Sequence, residues 1–454
     1  MRSPIIILSV FLLAACSSGS GGSSEDPPVA ACSLEGQKQF VLDNMRAWYF
    51  WNDLLPAEVD TSQFATPEDL LAFLTTFSPD LTPDDGIDNP VDRFSFINTA
   101  SADQAFFGEG KFEGFGFSSR FVAENDLRLT RVFFDSPANR AGLARGQQII
   151  ALNGRTIAEI QANEGVNAVF DLSPLDFTMR PVGGNPDGSD DFTQTITKDI
   201  VTIDPVPQAR IITDQAGVRP PVGYMELATF ISTADPAMDT VFADFRAQGV
   251  NDIIVDLRYN GGGLVSTSEL LGDFLGGDVA ENLVYSKTVF NELRAPANNS
   301  TEFFERRGNS VSLVRLVVIA SRSTASASEL VINGMDPHVE VIIVGTDTFG
   351  KPVGQVGLEF CEKILRPTAF QTLNANDFGD YFFGLPVDCA APDDLDVAVG
   401  ADSDPNIEAA LGYLDTGGCP AASVPGAQFK LEATQPVPRL ELRGTPAREF
   451  ANAL

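Results

Sequence analysis

The chain has 454 residues, of which 62 are Asp or Glu and 30 are Lys or Arg, so its formal net charge is −32. This charge argues against nucleic acid as a partner and against a basic membrane-binding patch, because anionic phosphates would be repelled. The chain contains one histidine, His338, whereas zinc hydrolases usually need two or three histidine ligands. The length predicts two or three domains.

Residues 1–16 have the form of a bacterial lipoprotein signal peptide. The apolar run 5–12 is too short to span a bilayer, and residues 13–16 (LAAC) resemble a lipobox in which Cys16 would be acylated. Residues 17–32 are rich in Ser and Gly, which predicts a flexible tether. An ordinary signal peptide with Cys16 incidental is the alternative. The sequence therefore predicts an exported chain, lipid-anchored in the bacterial envelope at the outer membrane and facing the periplasm.

Export predicts that the remaining cysteines form disulfides in an oxidising compartment. Without Cys16 there are four, which allow three pairings. We favour Cys361–Cys389, which would close a loop-rich insert, and Cys32–Cys419, which would join the two ends of the domain. This pairing is a preference among the three and not a deduction.

Residues 33–105 are predicted to form a helical N-terminal region. Apolar residues recur at helical spacing over 39–55, where Pro56 would end the helix, and Thr66 is placed to cap a second helix that begins at Pro67. The acidic segment 79–92 offers carboxylates for calcium, but their spacing matches no EF-hand loop. We expect a solvated loop there.

Residues 106–203 change to short strands, with a long hairpin turn at 183–191. Residues 136–143 (SPANRAGL), followed by Gly146 and an Asn-Gly turn at 153–154, resemble a PDZ domain. The preceding residues Gly114, Phe115, Gly116 and Phe117 resemble the loop whose amides hold a peptide carboxylate. Glycines allow close approach there, and successive amides form an anion-binding nest.

Residues 204–420 alternate apolar strands with amphipathic helices, which predicts an α/β core with parallel strands. Buried strands are expected at 252–257, 313–320 and 339–344, and a helix is expected at 326–335. Residues 421–454 have little pattern and are predicted to be a C-terminal extension.

Three segments of this α/β part carry chemistry, namely 256–263 (DLRYNGGG), 323–329 (STASASE) and 348–355 (TFGKPVGQ). Active sites of open α/β sheets lie at the strand ends where these segments fall. Together, and in this order, they resemble the C-terminal processing (tail-specific) serine peptidases. The resemblance implies a crotonase-like or ClpP-like α/β core with an inserted PDZ domain. It also implies peptide or unfolded protein substrates, and no metal or organic cofactor.

Matched residue by residue, the resemblance places the nucleophile at Ser326, the base at Lys351 and the residue that orients this lysine at Gln355. It places the oxyanion hole at backbone N–H groups of Ala327 and of the Gly261-Gly262 turn. A lysine is a base only when neutral, so its pKa of about 10.4 must fall, which burial can achieve. Gln355 can bind the lysine without adding a charge.

Alternatives remain at this stage. Ser323 and Ser328 are rival nucleophiles, and His338 is expected in a surface loop between a helix and a strand. A catalytically inactive scaffold that binds protein C-termini is the second function, although the retained Ser326 and Lys351 argue against it. An acyl-CoA enzyme is disfavoured because acyl-CoA is cytosolic.

Overall fold

The computed structural model describes residues 32–82, 89–214 and 219–420. The predicted signal peptide with Cys16, most of the tether and the C-terminal extension 421–454 lie outside the described residues. Within the described ranges, none of the helices has the length and apolar character needed to cross a membrane.

The N-terminal part is helical, as predicted, but its first helix differs in bounds. This helix covers Leu34–Trp48 instead of 39–55, and a short 3-10 turn follows at Asn52–Leu54. The chain leaves the helix because Phe50 donates its N–H to the Thr368 carbonyl of the core at 2.9 Å. The second helix begins at Pro67 with Thr66 in a capping box, as expected. The elements are α1 (Leu34–Trp48), α2 (Pro67–Thr75), β1 (Phe96–Thr99) and α3 (Ala100–Glu109).

The β-rich part follows and folds around its own apolar core. Its main sheet has the order β3-β4-β5-β7-β8, β6 pairs with β5, and β2 pairs separately with β9. Asn153 and Gly154 form the predicted turn, both with positive φ. The elements are β2 (Lys111–Gly114), β3 (Phe117–Ala123), β4 (Asp126–Val132), α4 (Pro137–Arg140), β5 (Gln148–Leu152), β6 (Arg155–Thr156), α5 (Ile157–Asn163), α6 (Val166–Phe170), β7 (Leu175–Arg180), β8 (Phe192–Ile196) and β9 (Asp199–Thr202).

The α/β part is built on a six-stranded sheet of order β10-β11-β12-β15-β16-β21, in which all pairs from β11 onward are parallel. Its elements are β10 (Gln208–Ile212), β11 (Val222–Glu226), α7 (Ala234–Ala247), β12 (Asp252–Asp256), α8 (Val265–Gly276), β13 (Val284–Phe290), α9 (Ala295–Asn298), β14 (Ser300–Phe303), β15 (Arg315–Ala320), α10 (Ala327–Met335), β16 (Glu340–Gly345), β17 (Val353–Gln355), β18 (Leu358–Phe360), β19 (Lys363–Arg366), β20 (Thr368–Leu373), β21 (Cys389–Ala390) and α11 (Pro405–Thr416).

Apolar cores lie on both faces of this sheet. One packs the sheet against α7, α8 and α10, and the other packs it against α11. Two smaller sheets complete the part, β14-β13-β20-β17 and β1-β19-β18. The second of these takes β1 from the N-terminal part, so the N-terminal part is joined to the core by backbone hydrogen bonds. These layers confirm the predicted α/β class with parallel strands.

The disulfide pairing preferred from the sequence was wrong. The structure joins Cys32 to Cys361 and Cys389 to Cys419, with Cα separations of 5.8 and 5.3 Å. Cys32 lies next to the β18–β19 hairpin because Phe40 of α1 stacks on Phe360, with ring centroids 4.6 Å apart. The first disulfide therefore fastens the N-terminal part to the core.

Candidate active site

The three motif segments meet at one edge of the parallel sheet. They follow the carboxyl ends of β12, β15 and β16, which are neighbours in the sheet. Ala325 donates its N–H to the Asn260 carbonyl at 3.1 Å, and Phe349 donates to the Thr324 carbonyl at 2.9 Å. These two bonds join the second segment to the first and the third to the second.

Ser326 is the residue immediately before α10 and has strained backbone angles, with φ 56° and ψ −117°. A non-glycine residue rarely adopts positive φ, and such strain clusters at functional sites. The same device presents the nucleophile of many hydrolases on a sharp strand-to-helix turn. Ser326 is only half-buried, so its hydroxyl is accessible at the start of a helix.

Glu329, in the first turn of α10, joins the segments that hold Ser326 and Lys351. Its Oε2 accepts the backbone N–H of Ser326 at 2.9 Å and that of Lys351 at 2.8 Å, so the two nitrogens cannot lie further apart than the sum of these distances. Its Oε1 accepts the Gly350 N–H at 2.7 Å and the Thr348 hydroxyl. Burial raises the pKa of Glu329, and these hydrogen bonds oppose that shift by stabilising the carboxylate.

Lys351 is nearly buried, with 9 % of its surface exposed. Its Nζ donates to Gln355 Oε1 at 3.3 Å and lies 5.3 Å from the centroid of the Phe94 ring. Gln355 in turn donates to the Phe94 carbonyl at 2.5 Å. Gln355 and Phe94 therefore both contact the end of the lysine side chain, and they are joined to each other by a hydrogen bond.

The glycine turn after β12 packs directly against Ser326. A Cβ on Gly262 would lie 2.7 Å from the Ser326 Cβ, and φ of Gly262 is +106°, so only glycine fits. The oxyanion prediction for Gly262 needs correction, because its N–H donates to Asn260 Oδ1 at 2.9 Å and is already used. The N–H groups of Gly261 and Ala327 have no acceptor among the residues that the structure describes.

The other candidate residues have different surroundings from Ser326. Ser328 is fully buried and donates to the Asn260 carbonyl at 2.9 Å, so its hydroxyl supports the turn. Ser323 lies in the loop before Ser326 and donates its N–H to the Ser321 hydroxyl at 3.1 Å. His338 lies between α10 and β16, as expected, but it is half-buried and hydrogen-bonds the Val284 carbonyl at 2.8 Å.

The β-rich part contacts the first motif segment through arginine. Arg145 donates to the Tyr259 hydroxyl at 2.5 Å and to Asp393 Oδ1 at 2.7 Å, and Tyr259 donates to Asp393. Arg120 pairs with the same carboxylate at 3.0 Å. Burial raises the pKa of Asp393, but the arginines outweigh it and hold this pKa below its ordinary value. Asp393 thus links the β-rich part to the first motif segment.

The four residues Gly114 to Phe117 lie at the start of the main β-rich sheet. Phe115 and Phe117 pack into the apolar core against Phe177, and the Gly116 carbonyl accepts the Ser136 hydroxyl at 3.0 Å. The strand β3 pairs with β4 on one side and is the edge strand of the sheet among the described residues.

Sequence reasoning missed Arg93 and Phe94, which contact the site from the segment between α2 and β1. The Arg93 guanidinium carbon lies 4.7 Å from the ring centroid of Phe349, which is two residues before Lys351 in the sequence. The sequence shows only a basic residue followed by an aromatic residue after the acidic segment. That pattern does not indicate a functional site, because these two residues reach Lys351 only when the N-terminal part packs onto the core.

Two further features bear on the chemistry. The described residues contain no group of three or more His, Cys, Asp or Glu side chains arranged to hold a metal ion. A cavity of about 400 Å³ lies between the N-terminal part and β20, and its walls include Phe50, Trp51 and Phe382. Ser326 and Lys351 do not line it.

Two family models match the chain. Residues 221–377 match the model of peptidase family S41, and residues 36–96 match the model of the peptidase S41 N-terminal domain. The first covers all three motif segments, and the second covers α1, α2, Arg93 and Phe94.

Curated relatives and a solved structure agree with these models. The chain is 28 % identical over 268 residues to carboxyl-terminal-processing peptidase 3 of Arabidopsis thaliana, covering 57 % of this chain and 50 % of the relative. It is 30 % identical over 240 residues to the C-terminal processing peptidase of Tetradesmus obliquus, covering 50 % and 48 %. The chain thus spans about half the length of these relatives.

A crystal structure from Bacteroides fragilis, assigned to the S41 proteases, shares the fold. Its TM-score is 0.62 at 23 % identity, with 83 % of this chain and 97 % of that chain covered. The motifs, the fold and both family models lead to one identification, which confirms the family expected from the sequence. Residues 36–96 and 221–377 carry the N-terminal and peptidase domains of family S41, and the curated relatives that this chain resembles are named C-terminal processing peptidases.

Proposed function

We propose that this protein is a serine endopeptidase that cuts envelope proteins or their C-terminal tails through Ser326 and Lys351. The observation that carries the proposal is the Glu329 carboxylate, which holds the backbones of Ser326 and Lys351 on one oxygen. A strained serine and a nearly buried lysine, brought together at strand ends, suit nucleophilic catalysis by a hydroxyl and an amine.

The reaction proceeds by acyl transfer. The Ser326 hydroxyl attacks the carbonyl carbon of the scissile bond and passes its proton to the neutral Lys351 amine, which then donates it to the departing nitrogen. Water then attacks the resulting ester as Lys351 takes a proton from it, and Lys351 passes this proton to the departing Ser326 oxygen, which releases the carboxylic acid product. Gln355 orients the amine through the hydrogen bond from Nζ.

The oxyanion formed in each step needs donors near Ser326. We assign this role to the backbone N–H groups of Ala327 and Gly261, which have no acceptor among the described residues. Ala327 is the first residue of α10, so its N–H also lies at the positive end of the helix dipole. Removal of one such donor typically costs about 100-fold or more in rate.

The β-rich part is proposed to be a PDZ domain inserted into a crotonase-like or ClpP-like core, and to capture the substrate tail. An edge strand, β3, supports this role because a peptide can add to it as a further strand. Gly116 lets the turn before β3 pack against Ser136 at the start of α4, since a Cβ on Gly116 would lie 2.1 Å from the Ser136 Cβ. The contact of Arg145 with Tyr259 would transmit capture to the catalytic segment.

The proposed location is the bacterial envelope, with the chain lipid-anchored at the outer membrane through Cys16 and facing the periplasm. The two disulfides support an oxidising compartment. The tether of Ser and Gly after Cys16 would let the folded parts reach substrates away from the membrane.

The test is hydrolysis of an unstructured protein with an apolar C-terminus by the wild type, by Ser326→Ala and by the matched control Ser323→Ala. Cleavage by the wild type and by Ser323→Ala, with none by Ser326→Ala, is expected. Equal cleavage by all three would show that Ser326 is not the nucleophile. Binding of the tail without cleavage by the wild type would overturn the peptidase assignment.

A further inference from the structure

Arg93 is held rigidly beside the candidate active site. Oδ1 of the buried Asp92 accepts the backbone N–H groups of Phe94 and Ser95, each at 3.0 Å, so the backbone that carries Arg93 is fixed. The ring of Phe94 packs edge-on against Phe349, with centroids 6.1 Å apart. The Arg93 side chain is therefore presented to the loop that ends in Lys351.

The Arg93 guanidinium lies over two aromatic rings and has no ion-pair partner among the described residues. Its carbon Cζ is 4.7 Å from the Phe349 centroid and 5.5 Å from the Phe94 centroid. Its Nε atom is buried and lacks a hydrogen-bond partner within the described part of the chain. Burial lowers the pKa of the Arg93 guanidinium, yet an arginine keeps its proton in proteins.

The Lys351 amine also lies near the ring of Phe94. Its Nζ lies 5.3 Å from the Phe94 centroid, so a fixed cation and an ionisable amine share one aromatic side chain. A nearby like charge disfavours the charged form of a titratable group. The two groups lie 5.5 and 5.3 Å from one ring centroid, so they are no further apart than the sum of these distances. Because the guanidinium keeps its proton, their repulsion acts on the protonated form of the Lys351 amine.

Other charges surround the pair. Glu329 attracts Arg93 through space, and Arg322 repels it. Arg322 is itself paired with Asp347 at 3.3 Å and donates to the Thr348 carbonyl at 2.9 Å. Arg93 therefore offsets the buried Glu329 carboxylate, whose negative charge would otherwise favour the protonated lysine.

We propose that Arg93 is a positioning residue for the catalytic pair, whose fixed charge on the Phe94 ring favours the neutral amine of Lys351, the form that accepts the serine proton. This inference rests on the proposed function. It gives the N-terminal part a role in the chemistry, because the residue that favours the neutral form of Lys351 comes from outside the α/β core.

The experiment compares the pH dependence of kcat/KM for the wild type, Arg93→Met and Arg93→Lys. Methionine keeps the apolar stem and removes the charge, whereas lysine restores a charge. We expect the acidic limb of the Arg93→Met profile to move about one pH unit upward, with about tenfold slower hydrolysis near neutral pH and recovery in alkali. Arg93→Lys should stay near the wild-type profile.

The matched control is Arg294→Met, because Arg294 is also stacked on an aromatic ring, 3.9 Å from the Trp48 centroid, but away from Lys351. Its acidic limb should not move. An unmoved acidic limb in Arg93→Met, or equal loss in Arg93→Lys, would overturn the proposal.

A second measurement does not depend on hydrolysis. In the Ser326→Ala background, the rate at which acetic anhydride acetylates Lys351 is followed against pH by mass spectrometry. Arg93→Met should move the midpoint of that rate upward, and an unchanged midpoint would contradict the proposal. If the wild type fails to cut peptides while this midpoint does move, the proposed function fails and the effect of Arg93 on Lys351 stands.

Discussion

Oε2 of Glu329 accepts the backbone N–H of Lys351 at 2.8 Å, although the two residues are 22 positions apart in the sequence. The same oxygen accepts the N–H of Ser326. The Glu329 side chain, which caps α10, thus limits the distance between the segment that holds Ser326 and the segment that holds Lys351.

Glu329→Gln should weaken both stability and catalysis. The amide keeps the size of the carboxylate but replaces one acceptor oxygen with a donor, which would face backbone N–H groups. We expect the free energy of unfolding to fall by about 2–4 kcal/mol and kcat/KM to fall more than tenfold. Denaturant unfolding and peptide hydrolysis measure the two effects. Unchanged kcat/KM in a folded variant would show that the clamp is not needed for alignment.

Gln355→Glu should shift activity to higher pH. A carboxylate in place of the amide oxygen that binds Lys351 Nζ would favour the protonated lysine, which cannot act as a base. We expect at least tenfold slower hydrolysis at neutral pH, partly recovered in alkali, as read from the kcat/KM profile. Gln355→Met is the control, since it should lower the rate without an upward movement of the acidic limb.

Arg145→Met should loosen the junction between the β-rich part and the core. Arg145 is mostly buried, and the substitution removes its hydrogen bonds to Tyr259, Asp393 and the Val397 carbonyl. Faster hydrogen exchange in β4 and β5 is expected, together with a loss of about 2–4 kcal/mol from the unfolding free energy of the junction. Arg140→Met is the matched control, because its ion pairs are exposed and contribute little. Equal exchange in both variants would contradict the role of Arg145.

Glu269→Gln should stabilise the protein in alkali and leave it unchanged in acid. Burial raises the pKa of Glu269 to about 7, and the neighbouring Glu302 and Asp273 add to the shift. The folded state therefore binds this proton more tightly than the unfolded state, so stability falls as pH rises from about 4.5 to 7. We expect a gain of about 1–2 kcal/mol at pH 8 and none at pH 4, by denaturant unfolding. An equal gain at both pH values would point to packing instead of charge.

Peptide mapping without reduction should recover the peptide of Cys32 linked to that of Cys361, and the peptide of Cys389 linked to that of Cys419. Cys32→Ser should lower the unfolding free energy by about 2–4 kcal/mol, because a long chain segment is released. A Cys361–Cys389 peptide would restore the pairing that we preferred from the sequence.

The local sequence was sufficient for much of the candidate site. The strands β12, β15 and β16 and the helix α10 were predicted because apolar runs and helical spacing report burial directly. The capping box at Thr66 and the Asn-Gly turn at 153–154 depend on a few adjacent residues, so they too were predicted correctly. Family resemblance then assigned roles to Ser326, Lys351 and Gln355, which the fold brings to one edge of a sheet.

Contacts between distant segments could not be predicted from the sequence. The disulfide partners of Cys32 and Cys389 depend on how α1 packs on the β18–β19 hairpin, and no local pattern encodes that packing. The use of the Gly262 N–H by Asn260 depends on the exact path of a turn.

The sequence by itself determined the alternation of strands and helices in the α/β core and the three motif segments whose family resemblance suggests roles for Ser326 and Lys351, because residue type and spacing along the chain are enough for both. Only the tertiary structure decided that Arg93 and Phe94 reach Lys351 and that Asp393 receives the arginines of the β-rich part. The charged groups that surround a residue in space depend on how distant parts of the chain pack together, and no local sequence pattern encodes that packing.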